Sequence, residues 1–131
     1  MTAVVDSSAV VAALLDNGVD GEWARRQLGR PWLAAPTHMF VEVSNVLRRE
    51  VLAGSLGRDV AALAHRDLVD LPVTVFPFEP MASRVWELHP TVTAYDAGFV
   101  ALAEALDVPL VTLDSRLARA SGPRCAFLLP S

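Results

Sequence analysis

The sequence of 131 residues contains no lysine and only one cysteine, Cys125. A single cysteine excludes an intrachain disulfide, which fits a reducing cytoplasm. All eleven basic residues are arginine, and the net charge of −4 excludes a general electrostatic affinity for nucleic acid. Contact with RNA would therefore depend on local arginines, whose guanidinium groups suit phosphate oxygens, or on bound metal ions.

Long apolar runs are also missing, since none approaches the roughly eighteen uninterrupted apolar residues of a membrane span. The N-terminus lacks the basic stretch, apolar run and cleavage site of a signal peptide. However, 53% of the residues are hydrophobic, which is a high share for a small domain. We therefore expect an exposed apolar patch that a partner or a second copy of the chain covers.

The sequence does contain an alternation of short strands and helices. Five apolar segments are typical of strands: TAVVD, WLAAP, PVTVFPFEP, PLVTLD and CAFLL. The helical segments between them include one opened by Asp20, a long one capped by Thr37 and a late one opened by Thr93. Such alternation predicts parallel pairing through right-handed crossovers. The predicted fold is one α/β domain over residues 1–131, with a single parallel sheet flanked by helices on both faces.

Four carboxylates lie where this fold would bring them to one edge. Asp6 and Asp114 each follow a short apolar strand directly, and in open parallel sheets sites form outside the carboxyl ends of the strands. Asp96 lies in the first turn of the late helix, and Glu42 lies on the long helix, both next to apolar positions. A carboxylate removed from water is costly unless it is paired or bound to a metal, and no lysine exists to pair with these four. The pattern therefore predicts a site for Mg²⁺ or a similar hard cation.

Three polar side chains accompany the acids. Ser8 and Thr112 could orient a carboxylate or a metal-bound water. Arg116 follows Asp114 by two residues and is the candidate contact for an RNA phosphate, with a solvated surface charge as its alternative. One or two cations held by the acids can activate a water and stabilise the leaving oxygen of a phosphodiester.

The same acids have structural alternatives. Asp6 and Asp114 could cap the helices that follow them, and Thr93 with Asp96 fits the T-x-x-D capping pattern. Capping does not explain Glu42, which could instead pair with Arg49. A non-catalytic binding module therefore stays open beside the enzyme. A phosphotransfer domain with a strand-end Asp as acceptor would need a nearby lysine, which is missing.

Three segments, VVDSSAVVAALL, PTHMFVEVSNVLRR and TAYDAGFVALAEALDVPLVTLDSRLA, resemble in this order the PIN-domain ribonucleases, and most of all the VapC-type toxins of bacterial toxin–antitoxin modules. The resemblance covers nearly the whole chain. It implies that the metal-binding catalytic acids are Asp6, Glu42, Asp96 and Asp114. It also implies supporting roles for Ser8, for Thr112 and for Asn45, which lies one turn after Glu42.

The resemblance further implies a Mg²⁺- or Mn²⁺-dependent endoribonuclease in which a metal-activated water cleaves a phosphodiester bond of tRNA or ribosomal RNA. It implies a homodimer, held inactive in the bacterial cytoplasm by a VapB-type antitoxin that inserts a segment into the acidic groove. These partners would account for the surplus apolar surface.

Overall fold

The computed structural model describes residues 2–131, and in these residues all strands pair in parallel within one five-stranded sheet. The order is β3-β2-β1-β4-β5. The strands are β1 (Ala3–Val5), β2 (Leu33–Pro36), β3 (Val73–Phe76), β4 (Leu110–Val111) and β5 (Phe127–Leu128). The order in which the chain adds strands reverses at β1, which lies between β2 and β4. The predicted α/β class and the single parallel sheet are confirmed.

Helices connect the strands and cover both faces of the sheet. They are α1 (Ser7–Leu15), α2 (Val19–Leu28), α3 (His38–Leu52), α4 (Arg58–Val69), α5 (Ala82–Glu87), α6 (Ala94–Leu106) and α7 (Ser115–Arg119), with a 3₁₀ turn at Glu79–Met81. Within residues 2–131, no helix is both long and apolar enough to cross a membrane.

Helix α6 lies in the middle of the core. Seven consecutive residues, 97–103, are buried, and α6 contacts both β1 and β2. A helix surrounded on all sides must be apolar on all sides, and the sequence AGFVALA meets this condition. The small residues of this stretch let the helix approach the sheet closely. Asp96 therefore enters the core region on the first turn of a rigidly packed helix.

The start predicted at Thr37 is correct in position but lacks the capping bond, and the start predicted at Asp20 is wrong by one residue. Thr37 precedes α3, but its side chain makes no capping hydrogen bond, and its backbone N–H donates to the carbonyl of Phe76 in β3. Gly18 occupies the cap position of α2, so that Asp20 lies within the first turn. Thr93 does cap α6 as predicted, because its Oγ1 accepts a hydrogen bond of 3.2 Å from the N–H of Asp96.

Exposed large apolar side chains occur on several elements, including Val19 on α2, Trp86 on α5 and Tyr95 on α6, and five of them lie on α3 and α4. On α3, Val41 and Leu52 are 71% and 68% exposed. On α4, Val60, Leu63 and Val69 are each more than half exposed. We call these five residues the α3–α4 apolar surface.

Candidate active site

The topology brings the two strand-end acids together. Asp6 follows β1 and Asp114 lies three residues after β4, and β1 and β4 are neighbours in the sheet. The N–H of Asp6 donates to the carbonyl of Val111 in β4 at 3.1 Å. Thr112 links the two acids, because its hydroxyl donates to Asp6 Oδ2 and accepts a 3.0 Å hydrogen bond from the N–H of Asp114. The predicted supporting position of Thr112 therefore has a definite geometry.

Asp6 is the most buried of the acids, with only 4% of its surface exposed. Its Oδ1 accepts hydrogen bonds from Ser8 Oγ at 2.6 Å and from the N–H of Ala9 at 3.0 Å, so that it caps α1. Burial raises the pKa of Asp6, the hydrogen bonds from Ser8, Thr112 and Ala9 oppose this, and the charge of Asp96 raises the pKa further. Asp6 is thus at once a helix cap and a carboxylate in a poorly solvated position.

Asp96 lies at the centre of the negative charge. It is half-buried, and its pKa is raised first by burial and then by the charges of Asp114 and Glu42. Asp96 and Asp114 also line one open cavity of about 250 Å³, together with Thr93 and Arg116. Because Asp96 interacts with each of the other three acids, the four predicted residues share one electrostatic environment.

Glu42 approaches this group from α3. Its Oε1 accepts a 2.8 Å hydrogen bond from Ser7 Oγ, across 35 residues of sequence. The pairing with Arg49 that the sequence left open is not among the ion pairs of the described residues, where the basic group nearest Glu42 is His38 Nε2 at 3.8 Å. Ser7 was not among the predicted site residues, because no local pattern indicates that its hydroxyl reaches α3.

The remaining predicted residues differ in how they meet the acids. Ser8 donates to Asp6 and accepts from the N–H of Leu113 at 3.0 Å, so it joins β1 to the segment after β4. Arg116 is exposed beside Asp114 at the cavity. Asn45 is exposed on α3, and within residues 2–131 no hydrogen bond joins its side chain to the acids.

The donor set was tested against the predicted divalent cation. Among residues 2–131, no three side chains of Asp, Glu, His or Cys lie close enough together to hold a metal ion in their present positions. Hydroxyl or N–H donors already satisfy three of the acids, and Asp96 faces their charges. An all-oxygen set of mutually repelling carboxylates, without a lysine, has the chemistry that Mg²⁺ or Mn²⁺ prefers. The donor chemistry of the four acids therefore suits a hard cation, whereas their present positions do not form a complete metal site.

Comparison with known proteins adds three findings. The PIN domain family profile matches residues 3–123. Ribonuclease VapC1 of Mycobacterium tuberculosis is 42% identical over 127 residues, which cover 96% of both chains. Two solved structures share the fold: VapC20 of M. tuberculosis, a toxin that cleaves the sarcin–ricin loop, and VapBC2 of Rickettsia felis, bound to a DNA fragment from its promoter.

These two structures superpose with TM-scores of 0.69 and 0.70 at 18% and 12% identity. The VapC20 match covers 88% of this chain and 92% of VapC20, and the VapBC2 match covers 98% of both. The chain belongs to the PIN-domain family. Within that family it groups with the VapC ribonucleases, and it is an endoribonuclease.

Proposed function

We propose that the chain is the toxin of a bacterial toxin–antitoxin pair and cleaves RNA in the cytoplasm with Mg²⁺ or Mn²⁺. Asp6, Glu42, Asp96 and Asp114 are the proposed metal-binding and catalytic acids. The observation that carries this proposal is geometric: Thr112 links Asp6 to Asp114, and Asp114 shares one cavity with Asp96. The charges of Asp114 and Glu42 also raise the pKa of Asp96, after burial. Among the described residues, none of these acids forms an ion pair with an arginine, and a bound cation would remove the cost of bringing their charges together.

A bound cation would supply positive charge to the phosphate oxygens and the acidity needed to ionise a water. The residues of the chain orient the acids for this task. Ser8 and Thr112 fix both oxygens of Asp6, and Ser7 fixes Glu42. Arg116 would hold an RNA phosphate at the cavity, where its guanidinium group can donate to two oxygens at once.

Asn45 keeps its proposed supporting role on different grounds. Its position one turn after Glu42 and its exposure leave its amide free to meet substrate. Its effect should therefore fall on RNA binding more than on the acids.

The proposed partners are a VapB-type antitoxin and a second copy of the chain. A groove of about 560 Å³ starts at Ser7 and Ser8 and continues between α1 and α3 over Val11, Leu15 and Val46. This groove suits an inserted antitoxin segment with apolar and basic side chains, because its lining is mostly apolar and includes the acids Asp16 and Glu50. The α3–α4 apolar surface would be covered in the homodimer or by the antitoxin. The R. felis VapBC2 structure supports such a complex by analogy of fold.

A cleavage assay tests the proposal. Purified wild-type protein should cut RNA with Mg²⁺ or Mn²⁺ and stop with EDTA, whereas Asp96→Asn and Glu42→Ala should lose cleavage by at least about 100-fold, as expected when preorganised catalytic groups are removed. Asp67→Asn is the matched control, because Asp67 is an exposed acid on α4. It should cut like the wild type.

Two results would count against the proposal. Cleavage that persists in both site variants would identify a contaminating nuclease. A wild-type protein that binds a VapB-type antitoxin but cuts no RNA with either metal would favour the non-catalytic binding module, in which Asp6 and Asp114 serve only as caps.

A further inference from the structure

We infer that His38 is a positioning residue that clamps the first turn of α6 against α3 and so sets the distance between Asp96 and Glu42. The inference rests on the proposed function of these acids. His38 is the first residue of α3 and lies one helical turn before Glu42. It is not among the acids and hydroxyls that the sequence pattern indicates.

The contacts of His38 reach the residue directly before Asp96. Its Nε2–H donates a 2.9 Å hydrogen bond to the carbonyl of Tyr95. The imidazole also packs edge-on against the ring of Phe99, with 4.9 Å between ring centroids, and against the ring of Tyr95 at 6.3 Å. One side chain therefore holds the backbone and two side chains of α6.

Metal binding through Nε2, the nitrogen of His38 that faces Glu42, is disfavoured by the same geometry. The carbonyl of Tyr95 can only accept, so Nε2 must carry the proton in this hydrogen bond. Nε2 is the imidazole nitrogen that lies 3.8 Å from Glu42 Oε1, and it has no lone pair available for a cation. His38 therefore acts on the site through the positions of its neighbours.

Gly98 is independent evidence that the His38 imidazole packs directly against α6. A Cβ built on Gly98 would lie 2.5 Å from His38 Cε1 and 3.3 Å from Nε2. Gly98 is buried in the interior of α6, where glycine costs about 1 kcal/mol relative to alanine. Glycine is present despite this cost because any larger residue at position 98 would push the imidazole away from α6.

The clamp matters because Glu42 and Asp96 belong to different helices. Ser7 holds Glu42 from the side of α1, and His38 lies between Glu42 and the start of α6. Without the imidazole, α6 loses its hydrogen bond to the start of α3, and Asp96 can move relative to Glu42. Residues that orient metal ligands typically change metal affinity by about 10- to 100-fold.

Calorimetric titration of Mn²⁺ into the RNA-free protein tests the clamp without relying on activity. Gly98→Ala and His38→Ala should each weaken Mn²⁺ binding by about 10-fold or more. His38→Gln should stay within about 3-fold of the wild type, since its amide N–H can replace Nε2 as the donor to Tyr95. Gly57→Ala is the matched control, because a Cβ there meets nothing within 4 Å.

A double-mutant cycle identifies the route of the effect. In the His38→Ala background, Gly98→Ala should cause no further loss, because the group that it displaces is already gone. Additive losses, or a Gly98→Ala affinity equal to that of Gly57→Ala, would overturn the clamp. If Gly98→Ala does not fold, failure of His38→Gln to restore the affinity lost in His38→Ala overturns it equally. A wild-type protein that neither binds Mn²⁺ nor cuts RNA would instead refute the proposed function.

Discussion

Thr112 offers the sharpest test of how the acidic edge of the sheet is held. It is fully buried, and its single hydroxyl serves two acids, as donor to Asp6 Oδ2 and as acceptor from the N–H of Asp114. Thr112→Val keeps the volume and the β-branched shape but removes both hydrogen bonds. The substitution therefore isolates the polar linkage from packing.

The expected cost can be worked out from these two bonds. A hydrogen bond to a charged acceptor contributes about 1.5–3 kcal/mol, whereas the N–H of Asp114 lies in a partly exposed segment where water can replace the hydroxyl, at about 1 kcal/mol or less. The added methyl group of valine offsets about 0.8 kcal/mol by burial. The net loss should be about 1–3 kcal/mol, which lowers the Tm of a chain of this length by about 4–12 °C.

Thermal unfolding in EDTA at pH 7, followed by circular dichroism, measures this loss. Thr112→Ser keeps the hydroxyl and loses a buried methyl group, so it should cost only about 1 kcal/mol. It should also retain RNA cleavage, whereas Thr112→Val should lose most of it because Asp6 is no longer oriented. A Thr112→Val protein as stable and as active as Thr112→Ser would refute the assigned role of the hydroxyl.

Two further predictions concern pH. Because the pKa of Asp96 is raised by burial and by Asp114 and Glu42, the folded state gains stability below the unfolded pKa of about 3.9 and loses it as the pH rises through the folded value. Asp96→Asn should therefore raise the metal-free Tm at pH 7 by a few degrees while abolishing cleavage and the Tm increase on adding Mn²⁺; an unchanged or lower metal-free Tm would contradict this. Burial alone would raise the pKa of Glu104, but Arg84, at 2.7 Å, holds this pKa below its usual value. The ion pair therefore stabilises the fold fully above a pH of about 5, and this contribution is lost on acidification. Glu104→Gln should cost about 2 kcal/mol at pH 7 and flatten the loss of Tm between pH 5 and 3, and parallel Tm profiles for the two proteins would refute the ion pair's contribution.

Much of the fold could be predicted because the strands carry their own signal. The three residues of β1 and the four of β2 are all buried, so these strands read as short apolar runs between helices. Capping was less predictable where a distant strand binds the backbone of the residue before the helix. Thr37 gives its N–H to Phe76, and this contact across 39 residues is not visible in the local sequence.

The candidate site was also predictable only in part. Asp6 and Asp114 could be located because a parallel sheet takes the ends of adjacent strands to one edge. The bonds from Ser7 to Glu42 and from His38 to Tyr95 span 35 and 57 residues, and they depend on how α3 packs against α1 and α6. No periodicity specifies such packing. Of these two contacts, the one made by His38 has a sign in the sequence, namely a glycine, Gly98, in the interior of α6.

The sequence set helix capping against metal binding as alternatives for the strand-end acids, but one geometry serves both. Asp6 Oδ1 caps α1, and the capping hydrogen bonds are what make its burial tolerable. Both capping bonds of Asp114 also go to its Oδ1, which leaves Oδ2 for the cavity that Asp96 shares. A capped carboxylate has a fixed direction before any ligand arrives, so little conformational entropy is lost when a cation binds. Capping is therefore the means by which these acids are preorganised for the proposed metal.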